Sequence, residues 1–193
     1  MLRVALAATA FCVAAPLSAQ TAPAASGGGG LIDKAVNRPG NSWSFYGTNY
    51  KAKAVKAQGV PGDQGVHVTV SAKGSNPWDI GATSDTVKPV QNNDTLMLAV
   101  FLRAPDAADS QTISLPISIG EAAAPYAAVA QDTAKVGREW KVFYATGRAT
   151  KAYAMGALRG IVHLAGDKQV VELGPVLVLD MGPGQDPAKL PHN

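Results

Sequence analysis

The 193-residue sequence has little cysteine, glutamate and histidine, the side chains that most often perform catalysis or bind metals. Its single cysteine, Cys12, lies in a leader-like N-terminal stretch, so we expect a mature chain without a thiol. That excludes a disulfide scaffold, a thiolate metal site and a cysteine nucleophile. The sequence also has no Gly-x-Ser-x-Gly or His-Glu-x-x-His motif, which removes two common hydrolase designs.

Long apolar runs are also missing, apart from the leader. Residues 1–19 are typical of a secretory signal peptide, with Arg3 before an apolar stretch at 4–15. The sequence predicts cleavage after Ala19 or, alternatively, after Ala24. That apolar stretch is shorter than the ~20 residues needed to cross a bilayer. We therefore expect a secreted or periplasmic protein without a transmembrane segment.

Strong charge of either sign is absent as well. The formal net charge is +3 and includes Arg3, so removal of the leader leaves 16 basic and 14 acidic side chains, or +2. The densest basic group is Lys51, Lys53 and Lys56. A nucleic-acid-binding domain needs a more extensive basic face, so we expect no nucleic-acid partner. We expect a monomer.

The rest of the chain is organised around the stretch 93–104, N-D-T-L-M-L-A-V-F-L-R-A. Its apolar run without alternation predicts a central strand buried on both faces. Before the domain, residues 20–30 have the composition of a flexible Gly-rich linker. We expect a β-sandwich domain over 31–183 and a polar C-terminal tail over 184–193.

About eight to ten short strands separated by turn residues predict an all-β sandwich or jelly roll. Valines at alternate positions over 66–70 give the clearest amphipathic strand. A strand is expected over 152–158, and the Gly-Asp pair within 165–168 predicts a hairpin between its flanking strands. In contrast, 72–92 are predicted to be a long loop or a broken strand, and 121–131 a loop with a helical turn.

Four segments in this order resemble the carbohydrate-binding modules of families 4, 9 and 22: N-P-W-D (76–79), N-D-T-L-M-L-A-V-F-L-R-A (93–104), R-E-W-K-V-F-Y (138–144) and V-E-L-G-P-V-L-V-L-D (171–180). The resemblance covers roughly residues 40–182. It implies a galactose-binding-like jelly roll that binds a polysaccharide or oligosaccharide without catalysis. It also implies a structural calcium ion at Asp180, although the Gly-x-Phe-Glu segment usual in the family is absent before Trp43.

Sugar binding requires an aromatic platform and polar groups for the hydroxyls. The aromatic candidates are Trp78, in the long predicted loop, and Tyr144. Arg103 and Glu139 are the main candidates for hydroxyl contacts, and Arg148 and Gln169 are further candidates. Trp43 and Trp140 are interpreted as core residues, and the further aromatic candidates are Phe143, Tyr46, Tyr50, Tyr126 and Tyr153.

Two other functions are compatible with the sequence. A small jelly-roll glycoside hydrolase needs two facing carboxylates, and Glu139 and Glu172 both adjoin predicted strands. A periplasmic or cell-surface protein-interaction domain would instead use an exposed apolar patch. The sequence supports a binding module better than an enzyme, so we expect a non-catalytic carbohydrate-binding module.

Overall fold

The computed structural model describes residues 30–193 and confirms an all-β fold. The predicted signal peptide and nearly all of the predicted linker lie outside the described residues. The described chain has ten strands: β1 (Ser44–Tyr46), β2 (Tyr50–Lys56), β3 (Gln64–Val70), β4 (Gly81–Asp85), β5 (Asp94–Arg103), β6 (Ile113–Glu121), β7 (Ala128–Val136), β8 (Lys141–Arg148), β9 (Leu158–His163) and β10 (Gln169–Pro183). Short 3-10 helices cover Leu31–Lys34, Pro61–Asp63, Pro77–Asp79 and Pro187–Lys189.

The strands pair antiparallel in the order β1-β4-β9-β6-β7-β8-β5-β10-β3-β2. A single residue pair, Ala130 and Gly147, joins β7 to β8, and the sheet folds over at this junction. Strands β1, β4, β9, β6 and β7 are called the first sheet below, and β8, β5, β10, β3 and β2 the second sheet. Gly160 on β9 faces Leu98 and Val178 of the second sheet, so the two sheets form a sandwich.

Strand β5 is the predicted central strand and lies between β8 and β10. Every residue from Asp94 to Val100 is buried. Leu96, Leu98 and Val100 belong to the core between the sheets. Met97 on the opposite face packs in a second cluster that includes Leu179, so both faces of the strand are buried from Asp94 to Val100.

Two strands lie in regions where a loop was predicted, with a broken strand as the alternative for the first region. Strand β4 falls within 72–92, and β7 begins within 121–131. Strand β4 has the sequence G-A-T-S-D, whose small side chains give no apolar alternation even though its first four residues are buried. The strand predicted over 152–158 is also wrong, because Tyr153 forms only an isolated bridge with Val90, a turn follows, and β9 begins only at Leu158.

The predicted hairpin around 165–168 does not form. Strand β9 pairs with β4 and β6, whereas β10 pairs with β3 and β5. The turn therefore carries the chain from the first sheet to the second. Its residues favour a turn in either case. The register shift between Leu173 and Val176 is a β-bulge at Gly174-Pro175.

Residues 184–193 lie against β8 and the ends of its neighbours. The side-chain amide of Asn193 pairs with Tyr144, donating to its carbonyl oxygen (2.9 Å) and accepting from its backbone N–H (2.8 Å). Arg148 donates to the Gln185 carbonyl oxygen at 2.7 Å. The amide thus satisfies an edge of β8 that β7 leaves unpaired at this position.

Candidate functional site

A cleft of about 1060 Å³ lies on the outer face of the first sheet. Because Leu158, Gly160 and Val162 on β9 are buried between the sheets, Arg159 and His163 must point outward, into the cleft. We refer to this site as the cleft; its lining includes Tyr46, Trp78, Thr83, Pro116, Ser118, Glu121, Tyr126, Gln131, Asp132, Arg159, Ile161 and His163. The lining thus combines aromatic, apolar and hydrogen-bonding groups, as ligand sites generally do.

Trp78 lies in the cleft lining and is 57% exposed. Its 3-10 turn is fixed by Asn76, whose backbone N–H donates to the Asp79 carboxylate at 2.9 Å. The backbone N–H of Ala165 also donates to the Pro77 carbonyl oxygen, which ties the turn to the β9–β10 connection. The backbone at Trp78 is therefore held in place, and its indole ring remains free to contact a ligand.

Tyr126 lines the cleft from the β6–β7 turn and is 69% exposed. Its backbone has a φ of 59°, in the left-handed region that bulky residues seldom occupy. On β6, Pro116 and Glu121 both line the cleft, and the strand rise puts them roughly 17 Å apart. The cleft is therefore elongated along the strands.

Tyr46 packs over Gly81 of the paired strand β4. A Cβ at Gly81 would lie 2.5 Å from the phenol oxygen and ring, so the absent side chain makes room for Tyr46. Burial raises the pKa of Tyr46, the charge of Arg159 lowers it and that of Asp79 raises it again, with a net upward shift. The hydroxyl thus remains a hydrogen-bond donor at neutral pH.

Two of the charged groups that line the cleft, Arg159 and Glu121, lie close to a group of opposite charge. Arg159 lies 3.2 Å from Asp85 between Nε and Oδ1, but this N–H is not aligned for a hydrogen bond. The Glu121 carboxylate lies 2.7 Å from the Lys151 ammonium. Burial lowers the pKa of His163, so its imidazole is neutral at pH 7 and can donate or accept a hydrogen bond.

The other predicted ligand-binding residues do not line the cleft. Arg103 is on the second sheet, where it contacts Glu172 at 2.6 Å and lies over the Trp140 ring at 5.0 Å from the centroid. Glu139 is exposed between β7 and β8, and Tyr144 packs beside the cluster around Met97. The structure therefore separates these three residues from Trp78, and their role in binding stays a prediction.

Trp140 is half-buried beside Gly174 and is not part of the main core, contrary to its interpretation as a core residue. Trp43 does pack against that core, and its indole N–H donates to the Gly174 carbonyl oxygen at 2.9 Å. The two residues begin strands of similar alternation. Only their place in the sandwich distinguishes them.

Asp180, the predicted calcium ligand, lies beside Asp94 at the end of β10. Burial raises the pKa of Asp180, the nearby Asp94 raises it further, and the Gly182 N–H and Lys34 oppose this. Calcium takes six to eight oxygen ligands, and two carboxylates supply only part of such a set. Within residues 30–193 no group of three or more His, Cys, Asp or Glu side chains is arranged to hold a metal. Calcium binding at Asp180 therefore stays a prediction.

The two glutamates considered for hydrolysis lie outside the cleft. Glu172 accepts from Arg103 at one carboxylate oxygen and is 3.0 Å from His67 Nδ1 at the other. Burial by itself raises the pKa of Glu172, but the hydrogen bonds from His67 and Arg103 outweigh it and the net pKa is lowered. Such an ionised, fully paired carboxylate is unsuited to act as a general acid.

Sequence reasoning missed Arg159, His163 and Glu121 as cleft residues. The first two alternate with buried residues on β9, and this alternation is visible as L-R-G-I-V-H. It shows that they face outward, but many outward side chains on other strands look the same. Their convergence depends on β4, β9 and β6 being neighbours.

No protein-family model matches the sequence, and no curated protein matches it. Solved structures share the fold. The chain is similar to a family 4 carbohydrate-binding module, with a TM-score of 0.54 and 18% identity over 72% of this chain and 94% of that one. It is also similar to the CBM22-1–GH10 modules of an endo-1,4-β-D-xylanase from Clostridium thermocellum, complexed with xylohexaose: the TM-score is 0.52 and the identity 14%, over 75% of this chain and 27% of that longer chain.

The same fold occurs in a Stig cyclase from Fischerella sp. TAU, solved with an indole compound (TM-score 0.50, 13% identity, 72% of this chain and 85% of that one). These similarities confirm the predicted jelly roll of the carbohydrate-binding modules. At such low identity they establish the fold alone. Because this fold is found in both binding modules and a cyclase, function has to be argued from the site. In the described residues, no helix is long and apolar enough to cross a membrane.

Proposed function

We propose that this protein binds a polysaccharide or oligosaccharide in the cleft, without breaking a bond. The observation that supports this most directly is the pair of exposed aromatic side chains, Trp78 and Tyr126, in one elongated cleft. An aromatic ring stacks on the apolar C–H face of a sugar, and polar side chains bond its hydroxyls. The cleft provides both.

The polar groups are suited to hydroxyls. Tyr46 offers a protonated phenol, neutral His163 offers one donor and one acceptor, and the guanidinium of Arg159, which lines the cleft, offers N–H donors. Sugar hydroxyls both donate and accept, so such a mixed lining matches them. The length of the cleft favours a chain of several sugars over a single ring.

Affinity measurements on the chain from residue 20 test this proposal, using xylohexaose, cello-oligosaccharides and insoluble polysaccharides with reducing sugar assayed in parallel. Trp78→Ala should weaken binding at least about tenfold, as expected for loss of a central aromatic contact. Its exposure means that folding should be unaffected, which circular dichroism checks. Tyr144→Ala and Arg103→Ala change the second sheet and should retain binding.

Three results would count against the proposal. Polysaccharide binding that depends on Tyr144 and Arg103 but not on Trp78 would show that the binding site is on the second sheet. Sugar release abolished by Glu139→Gln or Glu172→Gln would make the protein a glycoside hydrolase. Absence of both retention and release would favour the protein-interaction domain.

We further propose that the protein is exported and monomeric and that calcium contacts Asp180. Support for export comes from the composition of residues 1–19, and for calcium from the family resemblance. N-terminal sequencing of the mature protein should give Gln20 or Ala25. Calcium should raise the melting temperature of the original chain but not that of Asp180→Asn.

A further inference from the structure

A second, smaller depression of about 490 Å³ lies at the edge of the second sheet. Lys51, Ala52, Lys53, His67 and Thr69 line it. We call it the basic groove. It is formed by β2, the last strand of the sheet, and its only ladder partner β3.

Strand register places the basic side chains on one face. Lys51 is paired with Thr69 and Lys53 with His67, and residues two apart on a strand point the same way. The two lysine Cα atoms are therefore about 7 Å apart along the edge. Lys56 is an odd number of positions from Lys51 and Lys53 along the strand. Its side chain therefore points to the opposite face of the sheet.

The charge of the groove is not balanced by its neighbours. Glu172 on β10 lies opposite His67 on β3. However, its two carboxylate oxygens already contact the His67 and Arg103 side chains. Among the described residues neither Lys51 nor Lys53 forms an ion pair, and no acidic side chain lines the groove. The lining thus has two free ammonium groups beside the Thr69 hydroxyl.

We propose that the basic groove binds an anionic polysaccharide, such as a chain of uronic acids. Ammonium groups at a short, regular spacing complement carboxylates repeated along a polymer, and the hydroxyl and imidazole beside them provide further hydrogen-bonding groups. The cleft differs, because the charges of Glu121 and Arg159 in its lining are matched by Lys151 and Asp85, while Asp132 forms no ion pair among the described residues. An anionic chain should therefore bind in the groove in preference to the cleft.

The competing explanation is that the lysines only protect an edge strand. Lysine on an exposed edge discourages pairing with a second chain. That role requires no ligand and does not depend on which face of β2 the lysine occupies. Lys56 therefore provides a matched control, because it lies on the same strand and carries the same charge but points away from the groove.

Fluorescence anisotropy with labelled polygalacturonate tests the proposal on the full mature chain. The double variant Lys51→Ser/Lys53→Ser should bind about tenfold or more weakly, and Lys56→Ser should bind like the original chain. Added salt should weaken binding, because exposed charges are screened. Trp78→Ala should have no effect, so this result is independent of the outcome for the cleft.

Equal weakening by Lys56→Ser and the double variant would show a response to overall charge and overturn the proposal. So would equal binding of duplex DNA, or no binding of polygalacturonate by the original chain. Self-association of the double variant with unchanged polygalacturonate affinity would establish edge protection as the only role of these lysines.

Discussion

Gly81 leaves the room that the Tyr46 ring occupies beside the cleft. The ring lies 2.5 Å from where a Cβ would be, so Gly81→Ala must displace it. We expect a loss of about 1–3 kcal/mol in the free energy of unfolding, typical of overpacking. Glycan binding should weaken too. Denaturant unfolding and sugar titration measure the two effects.

A double-mutant cycle separates this clash from any effect of Gly81 on the backbone. In a Tyr46→Ala background the added methyl group meets no ring, so Gly81→Ala should then have little effect on stability. The same loss with and without the tyrosine would show that the glycine is needed by β4 itself.

At the scale of single elements, β5 is the strand on which both layers pack. Leu98 is fully buried and faces Gly160 on the first sheet. We expect Leu98→Ala to reduce the free energy of unfolding by about 2–5 kcal/mol. Leu98→Met keeps most of the volume and should reduce it by less than about 1.5 kcal/mol. Urea unfolding of both variants checks this, and similar losses would contradict the burial argument.

The edge of β8 depends on an element outside the sheet. The Asn193 amide satisfies both backbone groups of Tyr144, much as a paired strand would. Asn193→Ala should therefore speed hydrogen exchange of the Tyr144 amide while leaving that of Leu98 within β5 unchanged. Unchanged exchange at Tyr144 would show that this contact is too weak to protect the edge.

At the scale of the whole molecule, the free energy of unfolding should depend on pH in the acid range, because Glu172 on the second sheet is charged and paired. The pKa of Glu172 is net lowered from its ordinary value of 4.5, because hydrogen bonds from His67 and Arg103 outweigh the effect of burial. Its stabilisation is therefore fully present above about pH 4.5 and is lost as the pH falls through the lowered pKa. Glu172→Gln should be less stable than the original chain at pH 7 and should lose less stability on acidification. Thermal melts across this range measure both, and parallel pH profiles would contradict the assignment.

The sequence by itself determined the elements whose evidence is local. The alternating valines of β3 and the apolar run of β5 were both predicted, because the burial of a strand face follows from the residues of that strand alone. The all-β class follows from the same signals. Trp78 was also identified as a candidate from sequence.

Only the tertiary structure decided which strands are neighbours. Alternation records that a face is buried but not what covers it, so β9 and β10 looked like a hairpin although they belong to different sheets. Strand β4 was predicted only as an alternative to a loop, because small side chains are buried there without an apolar pattern. The cleft depends on β4, β9 and β6 lying side by side, and these strands are far apart in the sequence. The convergence of Trp78 with Tyr46, Arg159 and His163 is for that reason a property of strand pairing and not of local sequence.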